Sequence, residues 1–230
     1  MAKLAWYNLA MNRKITFAPG EFYHIYNRGV EKRSIFSSDT DRKRFQALLY
    51  LCNGNKAVVY RSAYIQGSTL YMVDAGDKSI AIGAYVLMPN HFHLLVKETS
   101  ENGITEFMRR LTTAYTMYFN KKYKRVGPLF QGTFKAEHVD EDRYLKYLFS
   151  YIHLNPIKLF DNNWKENGIK DKRGAQKYLA QYKFSSYNDY AGTGGEQSKI
   201  LSQSEFPQYF EKFNDFRNLL DFWLMYKVEP

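Results

Sequence analysis

Two apolar runs separated by a three-residue turn constrain the fold of this chain most strongly. Residues 80–87 (IAIGAYVL) and 91–96 (HFHLLV) each have the length of a β-strand, and Met88-Pro89-Asn90 lies between them. Short apolar runs bounded by turn-forming residues are typical of strands. The sequence therefore predicts two adjacent strands joined by a short turn.

The segments on either side alternate between strand and helix patterns. Aromatic and β-branched residues predict strands, apolar residues at helical spacing predict helices, and Gly, Pro and Asn mark the ends of both. The further predicted elements are a strand at 22–27, a helix from Ser38 or Asp39 to Cys52, a weakly patterned hairpin within 58–73, a helix at 103–123, a strand at 129–139, a helix from Asp140 to Pro156, and an aromatic C-terminal helix after the Gly-rich segment 191–195.

This order of elements predicts an α+β fold. Strand, helix, two strands, helix, strand and helix is the order of a ferredoxin-like antiparallel sheet with helices packed on one face. The last aromatic helix is expected to form a C-terminal helical extension.

Segments that would direct the chain to a membrane or an oxidising compartment are not evident in the sequence. No apolar run approaches the roughly 18 to 20 residues of a membrane span, and the N-terminus lacks a signal-peptide pattern, so a cytoplasmic protein is expected. The single cysteine, Cys52, excludes an internal disulfide framework and a multi-cysteine zinc site.

Positive charge is concentrated in one segment of the chain. Lys and Arg total 33 against 23 Asp and Glu, a net charge of +10, and residues 107–135 contain no acidic residue. Cations interleaved with aromatic rings suit a surface that follows a phosphate backbone and stacks unpaired bases. The alternative is a solvated basic helix whose aromatic side chains belong to the core. The predicted DNA-binding residues are Arg109, Arg110, Lys121, Lys122, Lys124, Arg125, Gln131 and Lys135.

His91 and His93 are two residues apart on a predicted strand. This spacing points both imidazoles out of one face, while Phe92 points into the other. Two aligned imidazoles indicate a metal site, although hydrogen-bonded core histidines are the simpler alternative. An open site completed by oxygen donors, water and a substrate phosphate would suit Mg²⁺ or Mn²⁺ and phosphoryl transfer.

Several ordered motifs resemble one known family. YHIYNRG (23–29), AYVLMPNHFHLLV (84–96), GPLFQGTFK (127–135) and YIHLNP (151–156), with a weaker SSYNDY (185–190), are similar to REP-associated tyrosine transposases. These are relatives of the single-tyrosine insertion-sequence transposases in the HUH nuclease superfamily. The resemblance covers about residues 22–192.

The resemblance implies roles for individual residues. His91 and His93 would be the HUH metal ligands and Tyr151, on the helix after the last core strand, the nucleophile. Asn155, four residues later, would be the third metal ligand, although Pro156 places it at the end of that helix. His153 is expected to be structural.

Other residues remain open as participants in the chemistry or in DNA binding. Tyrosines on the two predicted helices are alternative nucleophiles, with core packing as the simpler explanation. They are Tyr115, Tyr118, Tyr144 and Tyr147. Gln131 and His138 are candidate outer-shell or DNA contacts.

The implied activity is that of a metal-dependent single-strand DNA transposase. It would cleave and rejoin DNA at hairpin, REP-like sequences through a 5′-phosphotyrosine intermediate, with Mg²⁺ or Mn²⁺, as a monomer or homodimer. The alternatives are a non-catalytic, domesticated hairpin-binding protein and a metal-dependent hydrolase that uses water. The expected domains are an N-terminal extension (1–21), the HUH transposase catalytic domain (22–160) and a C-terminal extension packing on it (161–230).

Overall fold

The computed structural model describes residues 15–56, 70–209 and 213–225. The sheet contains β1 (Phe22–Arg28), β2 (Ile80–Met88), β3 (His91–Glu98) and β4 (Lys135–Val139). The helices are α1 (Asp39–Leu51), α2 (Gly103–Lys122), α3 (Asp142–Leu154), α4 (Ile157–Phe160), α5 (Trp164–Asn167), α6 (Lys172–Gln181), α7 (Tyr187–Tyr190) and α8 (Phe213–Met225).

The four strands form one antiparallel sheet in the order β2-β3-β1-β4. β1 lies between β3 and β4, so that Tyr26 is paired with His93 on one side and with Lys135 on the other. This order, with α1 between β1 and β2 and α2 between β3 and β4, confirms the predicted α+β, ferredoxin-like sheet.

Helices cover both faces of the sheet. On one face the buried side chains of Ile25, Phe92 and Leu94 pack with α1 and α2. On the other face Leu95 and Val86 pack against α3, the helix after the last core strand. The prediction of helices on one face is therefore correct for α1 and α2 and not for α3. His91 and His93 belong to this second face, because successive side chains of a strand point to opposite faces.

The N-terminus of α1 is fixed by a capping box. The Ser38 hydroxyl accepts from the Asp41 N–H, and the Asp41 carboxylate accepts from the Ser38 N–H at 2.9 Å. These bonds satisfy backbone groups that the first turn of a helix otherwise leaves unpaired. The predicted start at Ser38 or Asp39 is therefore confirmed.

The strand predicted at 129–139 is wrong in its first half. The β-strand begins only at Lys135, and the preceding residues form turns, with one isolated bridge between Phe130 and Gly29. Gly132 has φ +71°, a left-handed conformation that an extended strand cannot contain. The pattern of apolar residues in this segment reflects burial of Leu129 and Phe130 rather than strand pairing.

The helix predicted from Asp140 begins two residues later, at Asp142, with Glu141 as its N-cap. It ends at Leu154, and Asn155 is its C-cap with helical backbone angles. Pro156 also has helical angles and leads directly into α4. The hairpin predicted within 58–73 lies mostly outside the described residues, and its end, Leu70–Met72, is a 3₁₀ turn.

C-terminal helices pack beside the end of α3. Leu154 on α3 and Ile157 on α4 share a buried cluster with Phe216 and Leu220 of α8. Within the described part of the chain, no helix is both long and apolar enough to cross a lipid bilayer.

His153 lies inside this packing, as a structural residue would. Its ring bonds the Phe149 carbonyl at 2.7 Å and the Ser186 hydroxyl at 2.8 Å, and none of it is exposed. Burial lowers the pKa of His153 to about 4, although the bond to the Phe149 carbonyl opposes the shift. The ring is therefore neutral in the folded protein at pH 7.

The neutral His153 predicts a loss of stability in mild acid. Below pH 6.5 the unfolded chain takes up a proton that the folded chain does not, so the free energy of unfolding falls as the pH falls toward 4. We expect His153 to account for about 2 kcal/mol of the loss between pH 7.5 and pH 5. Urea unfolding of wild type and His153→Gln at both pH values measures it, and an equal loss in both proteins would contradict the prediction.

Candidate active site

His91 and His93 lie side by side on the face of β3 that α3 covers. Their ring centroids are 5.1 Å apart with the planes nearly perpendicular. His93 is buried, with 7% of its surface exposed, and His91 is half-buried. The predicted arrangement of both imidazoles on one sheet face is therefore present.

Neighbouring groups determine the protonation of His91. Its Nδ1 lies 2.7 Å from the Asn90 side-chain oxygen, and the Asn90 amide nitrogen donates to the Lys32 carbonyl at 3.1 Å. The bond to Lys32 fixes which end of the amide faces His91, so Nδ1 of His91 is the donor and Nε2 carries the lone pair.

Both imidazoles are neutral at pH 7. Burial lowers the pKa of His91 to about 4, the Asn155 side chain opposes the shift, and Lys158 and Arg28 add to it. Burial also lowers the pKa of His93 well below its ordinary value, helped by His24, His91 and Lys165. Neutral imidazoles are the form that binds a metal ion.

Asn155, the third predicted donor, is the C-cap of α3 and lies close enough to His91 to affect the pKa of that ring. Its amide nitrogen donates to the Tyr151 carbonyl at 3.4 Å, which leaves the amide oxygen available. In the described residues no three His, Cys, Asp or Glu side chains are grouped as metal ligands, and the Asn155 amide oxygen is the predicted third donor beside the two imidazoles. Two imidazole nitrogens and an amide oxygen suit a divalent ion with mixed N and O ligands. The donor set therefore fits the predicted metal.

Tyr151 lies on α3 above the same histidines. Its ring centroid is 5.3 Å from that of His93, with the planes at 85°. The Lys165 ammonium is 5.1 Å from the Tyr151 ring centroid. Among the described residues, no hydrogen bond to the Tyr151 hydroxyl is formed, and the side chain is only half-buried. The hydroxyl is thus available for chemistry next to the histidine pair.

The hydroxyls of the two candidate tyrosines on α2 form hydrogen bonds away from the histidine pair. The Tyr115 ring is fully buried on the opposite face of the sheet, and its hydroxyl donates to the Ile35 carbonyl at 2.6 Å. Tyr118 donates to Asp41 at 2.9 Å. Both hydroxyls are therefore directed away from the histidines.

The two other tyrosines on α3 have partners other than His91 and His93. The Tyr144 hydroxyl donates to Glu137 at 3.0 Å. Tyr147 packs between Tyr151 and Trp223, with ring-centroid distances of 6.0 and 5.0 Å, and burial raises its pKa. Of the candidate tyrosines, Tyr151 alone combines an unbonded hydroxyl with ring contact to a site histidine.

A third histidine in this cluster was not among the predicted site residues. His24 on β1 is buried, and its Nε2 lies 2.9 Å from Nδ1 of His93. Its Nδ1 faces Glu137 of β4 at 3.7 Å. In the sequence, His24 and Tyr26 are two residues apart on a predicted strand, which indicates that their side chains share a sheet face. Only the register of β1 against β3 places His24 beside His93.

Basic residues near the site were also missed. Arg28 is opposite His91 in the sheet and bonds the Gln131 side chain, one of the predicted DNA contacts. Lys158 on α4 and Lys165 on α5 are the other two cations whose charge reaches the histidine pair. They belong to helices that follow α3 and lie outside the basic segment 107–135.

Two arginines of the predicted DNA-binding set lie away from the histidines. Arg110 donates to the Gly54 carbonyl and to the Ser79 hydroxyl, and Arg109 is paired with Glu106. Ser79 precedes β2, whose far end pairs with His91, about 30 Å away at the strand rise of ~3.3 Å per residue.

Lys122 is held by an internal partner. Its ammonium lies 2.6 Å from the carboxylate of the fully buried Asp41, which also accepts from Tyr118 and Tyr123. Residues 107–135 contain no acidic residue, but this lysine has a counter-charge on α1.

The remaining cations of the predicted DNA-binding set lie at the end of the sheet that carries His91. Lys121 and Lys124 are exposed at the end of α2, and the Arg125 guanidinium lies 5.7 Å from the Phe119 ring centroid. Lys122 ties this end of α2 to Ser38, and the Ile35 N–H bonds Pro89 in the turn before His91. Lys135 is exposed on β4 opposite Tyr26. These side chains therefore lie at the same end of the sheet as His91.

Comparison with protein-family models gives a match that covers more than half of the chain. A family model described as IS200-like transposase matches residues 22–155. No curated protein sequence is significantly similar to the chain.

Solved structures show weaker similarities. A REP-associated tyrosine transposase bound to a REP hairpin matches at 15% identity with a TM-score of 0.45, over 81% of this chain and 90% of that one. The tRNA(His) guanylyltransferase from Saccharomyces cerevisiae matches at 10% identity with a TM-score of 0.36, over 99% and 88%.

Proposed function

The chain belongs to the IS200-like transposase family, and from this premise we propose that it cleaves and rejoins single-stranded DNA at hairpin sequences through a 5′-phosphotyrosine intermediate. Residues 22–160 would form the catalytic domain. The observation that carries the proposal is the position of the Tyr151 ring against His93, with the hydroxyl of Tyr151 bonded to no described residue.

Tyr151 is the proposed nucleophile. Its hydroxyl oxygen attacks the phosphorus of a phosphodiester, forming a bond from phosphorus to Tyr151 and breaking the bond from phosphorus to the 3′ oxygen. The phenol loses its proton, and the departing 3′ oxygen gains one and leaves as a 3′-hydroxyl. The protein then carries the 5′ phosphate of the cut strand on Tyr151.

The neighbouring side chains support this step electrostatically. A phenol has an ordinary pKa near 10, so it needs positive charge nearby to react as a phenolate. Lys165 lies over the Tyr151 ring, and Lys158 and Arg28 lie beside the histidine pair. His91, His93 and Asn155 would hold Mg²⁺ or Mn²⁺, which when bound supplies further charge neutralisation for the phosphate.

Rejoining follows from the same intermediate. The phosphotyrosine bond conserves the energy of the broken phosphodiester, so a 3′-hydroxyl of another DNA end can attack it and restore a continuous strand. This second transfer distinguishes a transposase from an enzyme that hydrolyses DNA with water.

The test is a denaturing gel of the protein incubated with single-stranded DNA and Mn²⁺. The DNA is taken from sequences flanking the gene and labelled at its 3′ end. We expect the label to migrate with the protein. Cut DNA without attached protein would instead indicate a hydrolase, and bound but uncut DNA a non-catalytic binding protein.

We also propose that the end of α2 contacts the DNA backbone. Replacing Lys121, Lys124 and Arg125 together with Ala should weaken binding to all single-stranded DNAs. Each lost phosphate contact should reduce the log–log dependence of affinity on salt by about 0.7. Fluorescence anisotropy at several salt concentrations measures both effects.

Two single variants serve as controls for that experiment. Arg109→Ala removes a cation at the remote end of α2 and should leave the salt dependence unchanged. Lys122→Ala should lower the free energy of unfolding by roughly 2 kcal/mol, because the buried Asp41 loses a charged donor that is itself about one-third exposed. An unchanged salt dependence in the triple variant would show that these three side chains face only solvent.

A further inference from the structure

The buried His24 connects a carboxylate to one of the proposed metal ligands. Only 6% of His24 is exposed, and its two ring nitrogens face different partners. Nε2 lies 2.9 Å from Nδ1 of His93, and Nδ1 lies 3.7 Å from the Glu137 carboxylate. Glu137, His24 and His93 thus form a continuous line across three neighbouring strands, β4, β1 and β3.

The position of Glu137 decides which nitrogens carry hydrogen. Its carboxylate accepts hydrogen bonds from the Tyr26 hydroxyl at 2.8 Å and the Tyr144 hydroxyl at 3.0 Å, so it faces His24 as an anionic acceptor. A protonated Nδ1 of His24 is attracted to this anion, whereas a lone pair there would be repelled. The 3.7 Å contact is too long for a hydrogen bond, but its electrostatics favour the tautomer of His24 with the hydrogen on Nδ1 and the lone pair at Nε2.

That choice fixes the tautomer of His93. The 2.9 Å contact between the two rings needs one hydrogen. In the neutral tautomer of His24 with its hydrogen on Nδ1, Nε2 has none to give. Nδ1 of His93 must supply it, which leaves the lone pair of His93 on Nε2. The separate hydrogen bond from Nδ1 of His91 to Asn90 gives His91 the same tautomer, with its lone pair on Nε2.

We propose that His24 and Glu137 are positioning residues that hold His93 in the tautomer able to bind a metal through Nε2. This inference rests on the proposed function, since a metal ligand is what this tautomer serves. A histidine ligand commonly donates its second ring N–H to a partner that fixes its orientation, and loss of such a partner weakens metal binding by about 10- to 100-fold.

The direct test is ¹⁵N NMR of histidine ring nitrogens in the metal-free protein. We expect wild-type His93 to be protonated on Nδ1. In His24→Leu and Glu137→Leu, His93 should shift toward the form protonated on Nε2. The dissociation constant for Mn²⁺, measured by calorimetry, should rise by about 10- to 100-fold in both variants.

His138→Leu is the matched control. His138 is also a histidine on β4 facing a glutamate, at 2.8 Å from Glu21, but it lies one residue along from Glu137 and so on the other sheet face. It should change neither the His93 tautomer nor Mn²⁺ affinity.

The outcomes separate this inference from the proposed function. A wild-type His93 protonated on Nε2 overturns the inference whatever the folding of the variants, and so does Mn²⁺ affinity unchanged in both Leu variants. If the tautomer and affinities are as expected but DNA is never cut, the proposed function fails and the positioning role stands.

Discussion

Replacing Tyr151 with Phe is expected to give a folded protein that forms no covalent adduct with DNA. The substitution removes one hydroxyl, which bonds no described residue, and keeps the ring that packs against His93 and Tyr147. Stability should therefore change by less than about 1 kcal/mol, while the nucleophile is lost entirely. A denaturing gel with labelled single-stranded DNA and Mn²⁺ measures the adduct, and thermal unfolding measures stability.

Tyr147→Phe is the matched control, because Tyr147 lies one helical turn before Tyr151 on α3 and contacts its ring. This variant should retain the adduct at nearly the wild-type level. An adduct that persists in Tyr151→Phe and disappears in Tyr147→Phe would assign the nucleophile to the other tyrosine.

The second large effect is expected from the histidine pair. His91→Ala or His93→Ala should reduce DNA cleavage by about 1000-fold or more, since the charge that stabilises the reacting phosphate is lost. DNA binding should change little, because contacts between basic side chains and phosphates supply most of the affinity. Cleavage rates and anisotropy titrations of the same preparations compare the two quantities.

A chelator should reproduce the effect of these substitutions in wild type. EDTA is expected to stop cleavage, and added Mg²⁺ or Mn²⁺ to restore it. The sequence left His138 open as an outer-shell or DNA contact, but its side chain faces Glu21 on the opposite sheet face, so His138→Ala should respond to EDTA and Mn²⁺ as wild type does. Full activity in EDTA would remove the metal from the mechanism, and a parallel loss of binding and cleavage would show that the histidines act on affinity.

The sheet was predictable from local patterns. Apolar runs bounded by Pro89 and Asn90 identified β2 and β3, and the two-residue period placed His91 and His93 on one face. Segment 129–134 misled the prediction, because Phe130 is buried without being in a strand and Gly132 turns the chain. A buried turn and a buried strand have the same apolar composition.

The partners of the site residues could not be read from the sequence. His24 meets His93 across 69 positions, and Lys122 meets Asp41 across 81. Such pairs depend on strand register and on helix packing, which local periodicity does not specify. For this reason the sequence suggested Lys122 as a DNA contact and gave no role to His24.

The motif resemblance contributed what spacing could not. The pattern of YIHLNP singled out Tyr151 among 20 tyrosines, and helical spacing placed Asn155 on the same side of α3. Periodicity alone made Tyr144, Tyr147 and Tyr151 equivalent members of one stripe. The hydrogen bond of Tyr144 to Glu137 and the packing of Tyr147 on Trp223 distinguish them in the folded chain.

Mass spectrometry of the wild-type protein after reaction with single-stranded DNA and Mn²⁺ tests the central claim most directly. The protein is digested with nuclease and protease, and the peptides are searched for a nucleotide attached through its 5′ phosphate. The account predicts that the modified peptide contains Tyr151 and that the nucleotide is attached there. Modification of a different tyrosine, or cleaved DNA with no modified peptide, would contradict it.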